Sequence, residues 1–569
     1  MNNSEEPSRV VADYIIVGAG TAGCTLASRI SESQPGASVI LIEAGSDVSS
    51  HALTSLPLSC FSAHFSELDW DYKTTPQKHL ENRICYAAAG KALSGGSAIN
   101  YGTWTRGPSV DFDWWAEKVG DQSWTYKALL PYFRRTETCK DPHIDTEHHG
   151  YNGPIQTTSV STSHTSRKYP LRETVKRAWE ELGLQSISDV NNGNPLGVAE
   201  LVENWRDGKR QLPSNAYNLS NVRVILNTLV AKIHISDGPG FKRATGVLLS
   251  SGQTISARKE VIITAGAFRS PQLLLVSGIG SPERLAQHRI PLQVNLPDVG
   301  QNFHDHLSVS IWWELRHPEH GLAIGSPRWT EDSYSRGLPC DWLVWQHVPN
   351  DDIRLALRMD GVSPYGSIHS RGMHPLLHPD RCHTETVVIY GPERAAMVGL
   401  DIPFDGSHIT TPVLLLTPTS RGSIDIASSD MSQPPLINPN YLSTETDRCM
   451  LRSGIRQALR LFQETSAGSG CVVDEVPPDG FPKLTANSSD AEIDARAIRT
   501  AGTFYHGSGS ASMGKVVDNR LRVFGIENLR VVDASVFPIP IAAHYQAIVH
   551  ALAEKAADMI LQDRHSSKL

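Results

Sequence analysis

His506 stands in a segment, TFYHGSGSASMG (503–514), whose composition would leave its imidazole open to a ligand. Five of the six residues that follow it are Gly or Ser, and side chains this small cannot shield the ring. An imidazole that faces a cavity can take or give a proton near neutral pH, which is the chemistry of a general acid or base. The alternative is that His506 makes an ordinary polar contact in a turn.

Three glycines near the N-terminus have the spacing of a phosphate-binding turn. Gly18, Gly20 and Gly23 form G-x-G-x-x-G directly after the apolar run at 14–17. The first glycine permits a tight turn, the second lets backbone amides approach a pyrophosphate, and the third lets a helix pack closely on the strand. The N-terminus of that helix adds a positive field for the phosphates. The alternative is a chance glycine turn.

Glu43 completes the nucleotide pattern. It ends a second apolar run, SVILIE (38–43), and lies 20 residues after Gly23. A carboxylate at this place can accept hydrogen bonds from the ribose hydroxyls of adenosine. Strand, helix, strand and acid together predict a βαβ unit that binds a dinucleotide.

The other elements predict an α/β domain around this unit and a second region of different pattern. Apolar runs at 261–264 and 528–533 indicate further strands, and HYQAIVHALAEKAADMI (544–560) indicates a helix whose positive end faces whatever precedes it. Between residues 301 and 500, short apolar and alternating stretches are divided by Pro and Gly. This pattern favours an antiparallel sheet with helices beside it.

Composition and charge narrow the class of protein. A chain of 569 residues exceeds a single hydrophobic core, so we expect two domains. The net charge of -8 and the lack of a basic block argue against a nucleic-acid partner. No stretch approaches a membrane span and the polar start lacks a secretory signal, which predicts a soluble intracellular protein. The eight scattered cysteines have no metal-ligand spacing, so we expect reduced thiols and no metal site.

Several further stretches, taken with the dinucleotide motif, resemble the glucose–methanol–choline (GMC) oxidoreductases, a family of FAD-containing flavoproteins. They are GKALSGGSAINYGTWTRG (90–107), GAFRSPQLLLVSGIG (266–280) and the segments around His506 and His544. The resemblance covers nearly the whole chain in the right order. One departure is the order S-G-G-S at 94–97, where the family usually has G-G-S-S. Backbone freedom beside the flavin ring is therefore shifted in position.

The resemblance implies a Rossmann-like FAD-binding domain interleaved with an α+β substrate domain built on an antiparallel sheet. The FAD-binding domain would comprise residues 11–110, 218–300 and 501–564, and the substrate-binding domain 111–217 and 301–500. The segment VGQNFHDHL (299–307) also resembles the family, which makes His304 and His306 structural and not metal-binding. The residues implied to contact FAD are Gly18, Gly20, Thr21, Ala22, Gly23, Glu43, Gly95, Gly96, Asn100, Val230, Asp533, Ala534 and His544.

The resemblance also implies a reaction. In the family, an alcohol passes hydride from carbon to flavin N5 while a base takes the hydroxyl proton. His506 resembles that base, and His544 matches the second catalytic position, as in glucose oxidase-like members. One neutral ring would take the proton while the other donates a hydrogen bond to the substrate oxygen. This predicts the oxidation of a small organic alcohol, in a specialised biosynthetic pathway, with O₂ or another compound as electron acceptor.

Three points stay open from the sequence. Some family members keep FAD but use the histidines without net redox, so a lyase or cyclase is the alternative function. The C-terminal tripeptide Ser567-Lys568-Leu569 is an address for the peroxisome, which would make a peroxisomal import receptor a partner. The aromatic residues that either line a substrate pocket or belong to the core are Trp312, Trp313, Trp342, Trp345 and Tyr505.

Overall fold

The computed structural model describes residues 10–142, 144, 146–365 and 372–566. The peroxisomal address at 567–569 lies outside these residues and stays a prediction. Within the described part of the chain, no helix is long and apolar enough to cross a membrane. All eight cysteines are free thiols, as expected.

The first of two eight-stranded sheets, here called the nucleotide sheet, has a parallel part built from the predicted βαβ unit. Val10–Val17 lies between Val39–Ile42 and Thr254–Ile263 and is parallel to both. Residues 12–17 are all buried, which is the burial expected of a parallel strand covered on both faces. In spatial order the strands are Val222–Ile225, Val39–Ile42, Val10–Val17, Thr254–Ile263, Phe241–Leu249 and Val230–Gly238, with Ile526–Glu527 and Leu529–Val531 paired beside Phe241–Leu249 and Thr254–Ile263.

Two helices from opposite ends of the chain pack together over this sheet. In Thr21–Ser33, Arg29 forms an ion pair of 2.9 Å with Glu554 of Gln546–Ser566. The C-terminal helix begins at Gln546 and not at 544, so His544 precedes its first turn and stays in a loop. The N-termini of both helices therefore open on the same side of the nucleotide sheet, where their dipoles favour negative charge.

The second sheet is mainly antiparallel, as the pattern between 301 and 500 predicts. The alternating direction of side chains along its strands decides which of them reach the site, because successive residues of a strand point to opposite faces. In Thr384–Val387, Thr384 packs against Gly454 of the helix Glu445–Gln463, whereas Glu385 points to the other face. In spatial order the strands are Val472–Val476, Leu307–Leu315, His408–Leu415, Thr384–Val387, Trp342–Gln346, Gly197–Glu200 and Ser186–Ile187, with Gly502–Thr503 paired beside Leu307–Leu315.

A cavity lies between the two sheets. Val17 and Ile42 of the nucleotide sheet line it on one side, and Leu343, Val387 and Pro412 of the second sheet line it on the other.

The other helices of ten or more residues are Ser109–Val119, Tyr126–Thr136, Arg172–Glu181, Gly266–Val276, Asn350–Met359 and Asp490–Thr500. Shorter helices are Ala52–Ser55, Cys60–Ala63, Val160–Ser163, Pro213–Ala216, Pro282–Gln287 and Ser466–Cys471. Shorter strands are Tyr72–Lys73, Tyr86–Ala87, Glu137–Cys139, Ile155–Ser159, Val202–Glu203, Trp205–Arg206, Lys209–Arg210, Ile279–Gly280, Val294–Asn295, Ser423–Asp425 and Leu436–Asn438.

Candidate active site

The glycine turn forms one end of the cavity. Gly18 has φ +102°, and a Cβ atom there would lie 2.5 Å from the carbonyl oxygen of Thr264. Gly20 is the N-cap residue of the helix Thr21–Ser33. Because it has no side chain, the first amides of this helix receive no side-chain hydrogen bond from the N-cap residue. Gly23 is not on the cavity wall, because it packs beneath Gly18, whose carbonyl oxygen a Cβ atom would overlap. The turn thus presents uncapped backbone amides to the cavity.

Glu43 lies at the end of strand Val39–Ile42, on the cavity wall. Its Oε2 accepts a hydrogen bond from the amide of Ala19 and its Oε1 one from the amide of Gly45, each of 2.8 Å. Burial raises the pKa of Glu43 to about 7 although backbone amides oppose the shift. Each oxygen can accept a second hydrogen bond, so the carboxylate can still receive ribose hydroxyls.

The S-G-G-S segment packs directly on the glycine turn. A Cβ atom on Gly95 would lie 2.8 Å from the Cα of Gly20. Ser94 has φ +88°, in the left-handed region that favours glycine, which explains the usual family residue there. Its hydroxyl compensates, because it donates to the Ser214 hydroxyl at 2.9 Å and accepts from the Ser214 amide at 3.1 Å. Gly96 lines the cavity in this segment.

Three further predicted contacts lie along the cavity. Asn100 is held by Arg210, whose Nη1 donates to its Oδ1 at 2.7 Å. Asp533 accepts from the Gly266 amide at 2.9 Å and so faces the N-terminus of the helix Gly266–Val276. Val230 also lines the wall. The predicted cofactor residues that line the cavity are Gly18, Gly20, Thr21, Ala22, Glu43, Gly95, Gly96, Asn100, Val230, Asp533, Ala534 and His544.

The two predicted catalytic histidines meet in the same cavity. The ring centroids of His506 and His544 are 5.0 Å apart, and the rings are nearly perpendicular at 79°. Phe504 packs against both, at 5.5 Å from His506 and 5.6 Å from His544. Burial, together with the neighbouring imidazoles of His306 and His544, holds the pKa of His506 well below its usual range. His506 is therefore a neutral imidazole near pH 7.

His306 contacts the histidine pair, and the sequence did not predict this contact. Its Nδ1 lies 2.9 Å from Nδ1 of His506, and its Nε2 lies 3.2 Å from the hydroxyl of Tyr545. Burial lowers the pKa of His306 to about 3, so it too is neutral. By contrast, His304 bonds through Nδ1 to the backbone oxygen of Asn302 at 2.8 Å. Of the two histidines in the HDH triplet, only His306 contacts the pair.

Glu385 is the second missed residue. It is fully buried, and its Oε1 lies 2.8 Å from Nε2 of His544. The backbone amide of His544 donates to the Thr105 hydroxyl at 2.8 Å, which fixes the main chain as well. A single acidic residue inside the strand sequence TETV was the available signal, because buried carboxylates require a partner.

The aromatic candidates divide between the cavity and the core. Tyr505 lines the cavity. Trp312, Trp313 and Trp345 are buried in the core, and neither they nor Trp342 lie on the wall of this cavity.

A dinucleotide-binding turn that shares one cavity with two half-buried, perpendicular histidines defines the class of protein as an FAD-dependent oxidoreductase. Family profiles described as GMC oxidoreductase match residues 12–308 and 418–553. The chain belongs to this family, and FAD is its cofactor.

Individual proteins are similar over their whole length. The GMC-type oxidoreductase acuG of Aspergillus aculeatus is 42% identical over 549 residues, covering 96% of this chain and 99% of the relative. An oxygen-dependent choline dehydrogenase of Vibrio vulnificus is 33% identical over 569 residues, covering 96% of this chain and 94% of the relative. The crystal structure of a formate oxidase superposes with a TM-score of 0.86 at 27% identity, covering 99% of this chain and 100% of the other.

The cavity fits this cofactor on its own geometry. The glycine turn and two helix N-termini supply donors and positive field for a pyrophosphate. Gln546, at the start of the C-terminal helix, donates through Nε2 to the Ser97 hydroxyl at 3.1 Å. Its buried Oε1 has no partner in the described chain although it lines the cavity. A polar ring system placed here would supply the missing donor.

Proposed function

We propose that the protein oxidises a small organic alcohol, with His506 as the general base and His544 as the hydrogen-bonding group for the same substrate oxygen. The observation that carries the proposal is the perpendicular pair, in which the protein holds one nitrogen of each ring. Nε2 of His506 and Nδ1 of His544 have no hydrogen-bond partner in the described chain. These two nitrogens can therefore meet one oxygen atom in the cavity.

The role of His506 as a base requires one tautomer of the His306–His506 contact. In that tautomer, Nδ1–H of His506 donates to Nδ1 of neutral His306. Nε2 of His306 then faces the Tyr545 hydroxyl at 3.2 Å, and that hydroxyl also accepts a hydrogen bond from the Ser508 hydroxyl at 3.5 Å. This tautomer leaves a lone pair on Nε2 of His506, and that lone pair takes the substrate proton.

Glu385 has the corresponding role for His544. It engages Nε2 of the ring at 2.8 Å and fixes its orientation, so that Nδ1 faces the substrate oxygen. Donation from Nδ1 to that oxygen needs a hydrogen on both ring nitrogens, with Nε2–H donating to the Glu385 carboxylate. Bound FAD would supply the hydride acceptor, its N5, for the carbinol carbon. The ring of Phe504 packs against both imidazoles, and its apolar contact lowers the local polarity around them, which strengthens their hydrogen bonds to the substrate.

Under this proposal, the two predicted domains have different roles. Residues 11–110, 218–300 and 501–564 hold FAD, since they supply the glycine turn, Glu43, Asp533 and both histidines. Residues 111–217 and 301–500 shape the substrate cavity, supported by Leu343 and Val387 on its wall. A place in a specialised biosynthetic pathway stays a prediction.

Anaerobic mixing of the holoenzyme with a panel of primary alcohols tests the proposal, with flavin absorbance as the signal. We expect the absorbance near 450 nm to bleach with the true substrate, and His506→Ala to slow that bleaching. Conversion of a substrate without bleaching, which continues with a redox-inert flavin analogue, would establish the lyase or cyclase function instead. Readmission of air then identifies the electron acceptor, because rapid reoxidation with peroxide formation is the behaviour of an oxidase.

A further inference from the structure

Besides the histidine pair, the second sheet and its loops give the cavity a mostly apolar stretch of wall, here called the distal end. The residues that form it are Leu338, Leu343, Val387, Ile389, Glu393 and Tyr505. Walls of this kind bind an uncharged, largely apolar molecular body, and the few polar groups among them fix its orientation.

Two polar atoms of the distal end have no partner in the described part of the chain. They are Oε2 of Glu393 and the hydroxyl oxygen of Tyr505, and both are buried. Glu393 is 8% exposed, and no hydrogen bond or ion pair reaches its carboxyl group from any described residue. Neighbouring hydroxyls do find partners, since Tyr101 and Tyr86 bond to His64 at 2.8 and 3.0 Å. Buried polar atoms without a partner are rare and costly, so these two mark a place for a ligand.

Both groups are held firmly by their own segments. The backbone oxygen of Glu393 accepts a hydrogen bond of 3.0 Å from the indole of Trp312. Tyr505 has φ +66°, its amide donates to the Thr503 hydroxyl at 2.7 Å, and its ring stacks on His64 at 4.7 Å. A strained backbone that persists beside a cavity indicates a position set by function.

The charges around the distal end select what it can bind. The guanidinium carbon of Arg394 lies 5.5 Å from the centroid of the Tyr505 ring, and its positive charge acts on Glu393. An anionic ligand group would be repelled by the carboxyl group of Glu393, and a cationic ligand group would be repelled by the guanidinium of Arg394. A neutral hydroxyl avoids both conflicts. It can also donate to Glu393 and accept from Tyr505, which satisfies both unpartnered atoms at once.

We propose that Glu393 and Tyr505 form a second polar subsite, which binds a hydroxyl group of the substrate remote from the reacting carbinol. The substrate is then a neutral molecule with two hydroxyl groups on a largely apolar body, one at the histidine pair and one at the distal end. This inference rests on the proposed alcohol oxidation. It deepens that proposal, since it assigns the substrate class and the two residues that select it.

Matched alcohols test the subsite in the holoenzyme. We expect 3- or 4-hydroxybenzyl alcohol to exceed benzyl alcohol in kcat/KM by about 10–10²-fold, the scale of one or two buried hydrogen bonds. Tyr505→Phe and Glu393→Leu should each bring that ratio toward one. Tyr365→Phe and Glu331→Gln are the controls, because these side chains are exposed and away from the cavity, and they should keep the ratio. No preference in the wild type, or a preference that survives in both variants, would overturn the subsite.

Binding of m-cresol and toluene separates this inference from the proposed function. Neither compound has a carbinol carbon, so their binding, followed by the perturbation of flavin absorbance, does not depend on turnover. We expect m-cresol to bind more tightly than toluene by about tenfold or more, and Tyr505→Phe to remove the difference. If no alcohol reduces the flavin but this difference is present, the subsite stands and the proposed reaction fails. Equal binding of the two compounds removes the subsite whatever the reaction.

Discussion

Two regions of the cavity, the nucleotide end and the histidine end, are built in different ways. At the nucleotide end, the backbone of the glycine turn is central to the site, and the turn and Glu43 lie within one stretch from Gly18 to Glu43. At the histidine end, side chains make the site, and they come from segments far apart in the chain. Those side chains belong to His306, Glu385, His506 and His544. A change at the first end therefore blocks binding through a steric clash, whereas a change at the second end alters reactivity by degrees.

The largest effect should come from Gly23→Ala. The added Cβ would overlap the carbonyl oxygen of Gly18 and lie 2.9 Å from the Thr264 hydroxyl, so the turn cannot keep its shape. We expect the purified protein to lack FAD, measured as the ratio of absorbance at 450 and 280 nm. Gly36→Ala is the control, since a Cβ there meets nothing within 4 Å. A Gly23→Ala protein with full flavin content would show that the nucleotide end is more adaptable than its geometry suggests.

The next effect belongs to the histidine end and should leave FAD in place. His506→Ala removes the base but none of the backbone contacts at Gly18 and Gly20. We expect the rate of flavin reduction to fall by about 10²–10⁴-fold, the usual scale of a general base. Anaerobic stopped-flow absorbance measures it, with the exposed His317→Ala as the control. An unchanged rate, with normal flavin content, would return His506 to an ordinary polar contact.

A graded effect is expected at His544. His544→Asn keeps an amide that can donate a hydrogen bond, so we expect a loss of about tenfold in flavin reduction, against about 10²-fold for His544→Ala. The same stopped-flow measurement compares the two variants. Equal and near-total losses would instead identify His544 as the base and reverse the roles of the pair.

The smallest effect concerns pH. Because the pKa of His506 lies well below the ordinary value near 6.5, its neutral form persists as the pH falls through 6.5. At saturating alcohol we expect flavin reduction to change by no more than about twofold between pH 8 and 5.5, with the acid loss only at lower pH. A base with an ordinary pKa would lose about tenfold by pH 5.5. That tenfold loss would contradict the effect of burial and of the neighbouring imidazoles.

The sequence by itself determined the nucleotide end and pointed to the two histidines that we propose as the reacting groups. The glycine spacing, the buried strand before it and Glu43 are local features, because a turn and the start of a helix depend on residues close in the chain. His506 was visible through its small neighbours, and the family resemblance supplied His544. The structure differs there only in the first residue of the C-terminal helix, Gln546, which leaves His544 in a loop.

Only the tertiary structure decided which groups surround those histidines. Glu385 reaches His544 because its strand pairs with His408–Leu415 in a register that turns this side chain toward the cavity. A shift of one residue would have turned it to the opposite face. His306 and Glu393 depend likewise on segments brought together by strand pairing. Pairing between distant strands follows from the packing of the whole sheet, and no local pattern in the sequence encodes it.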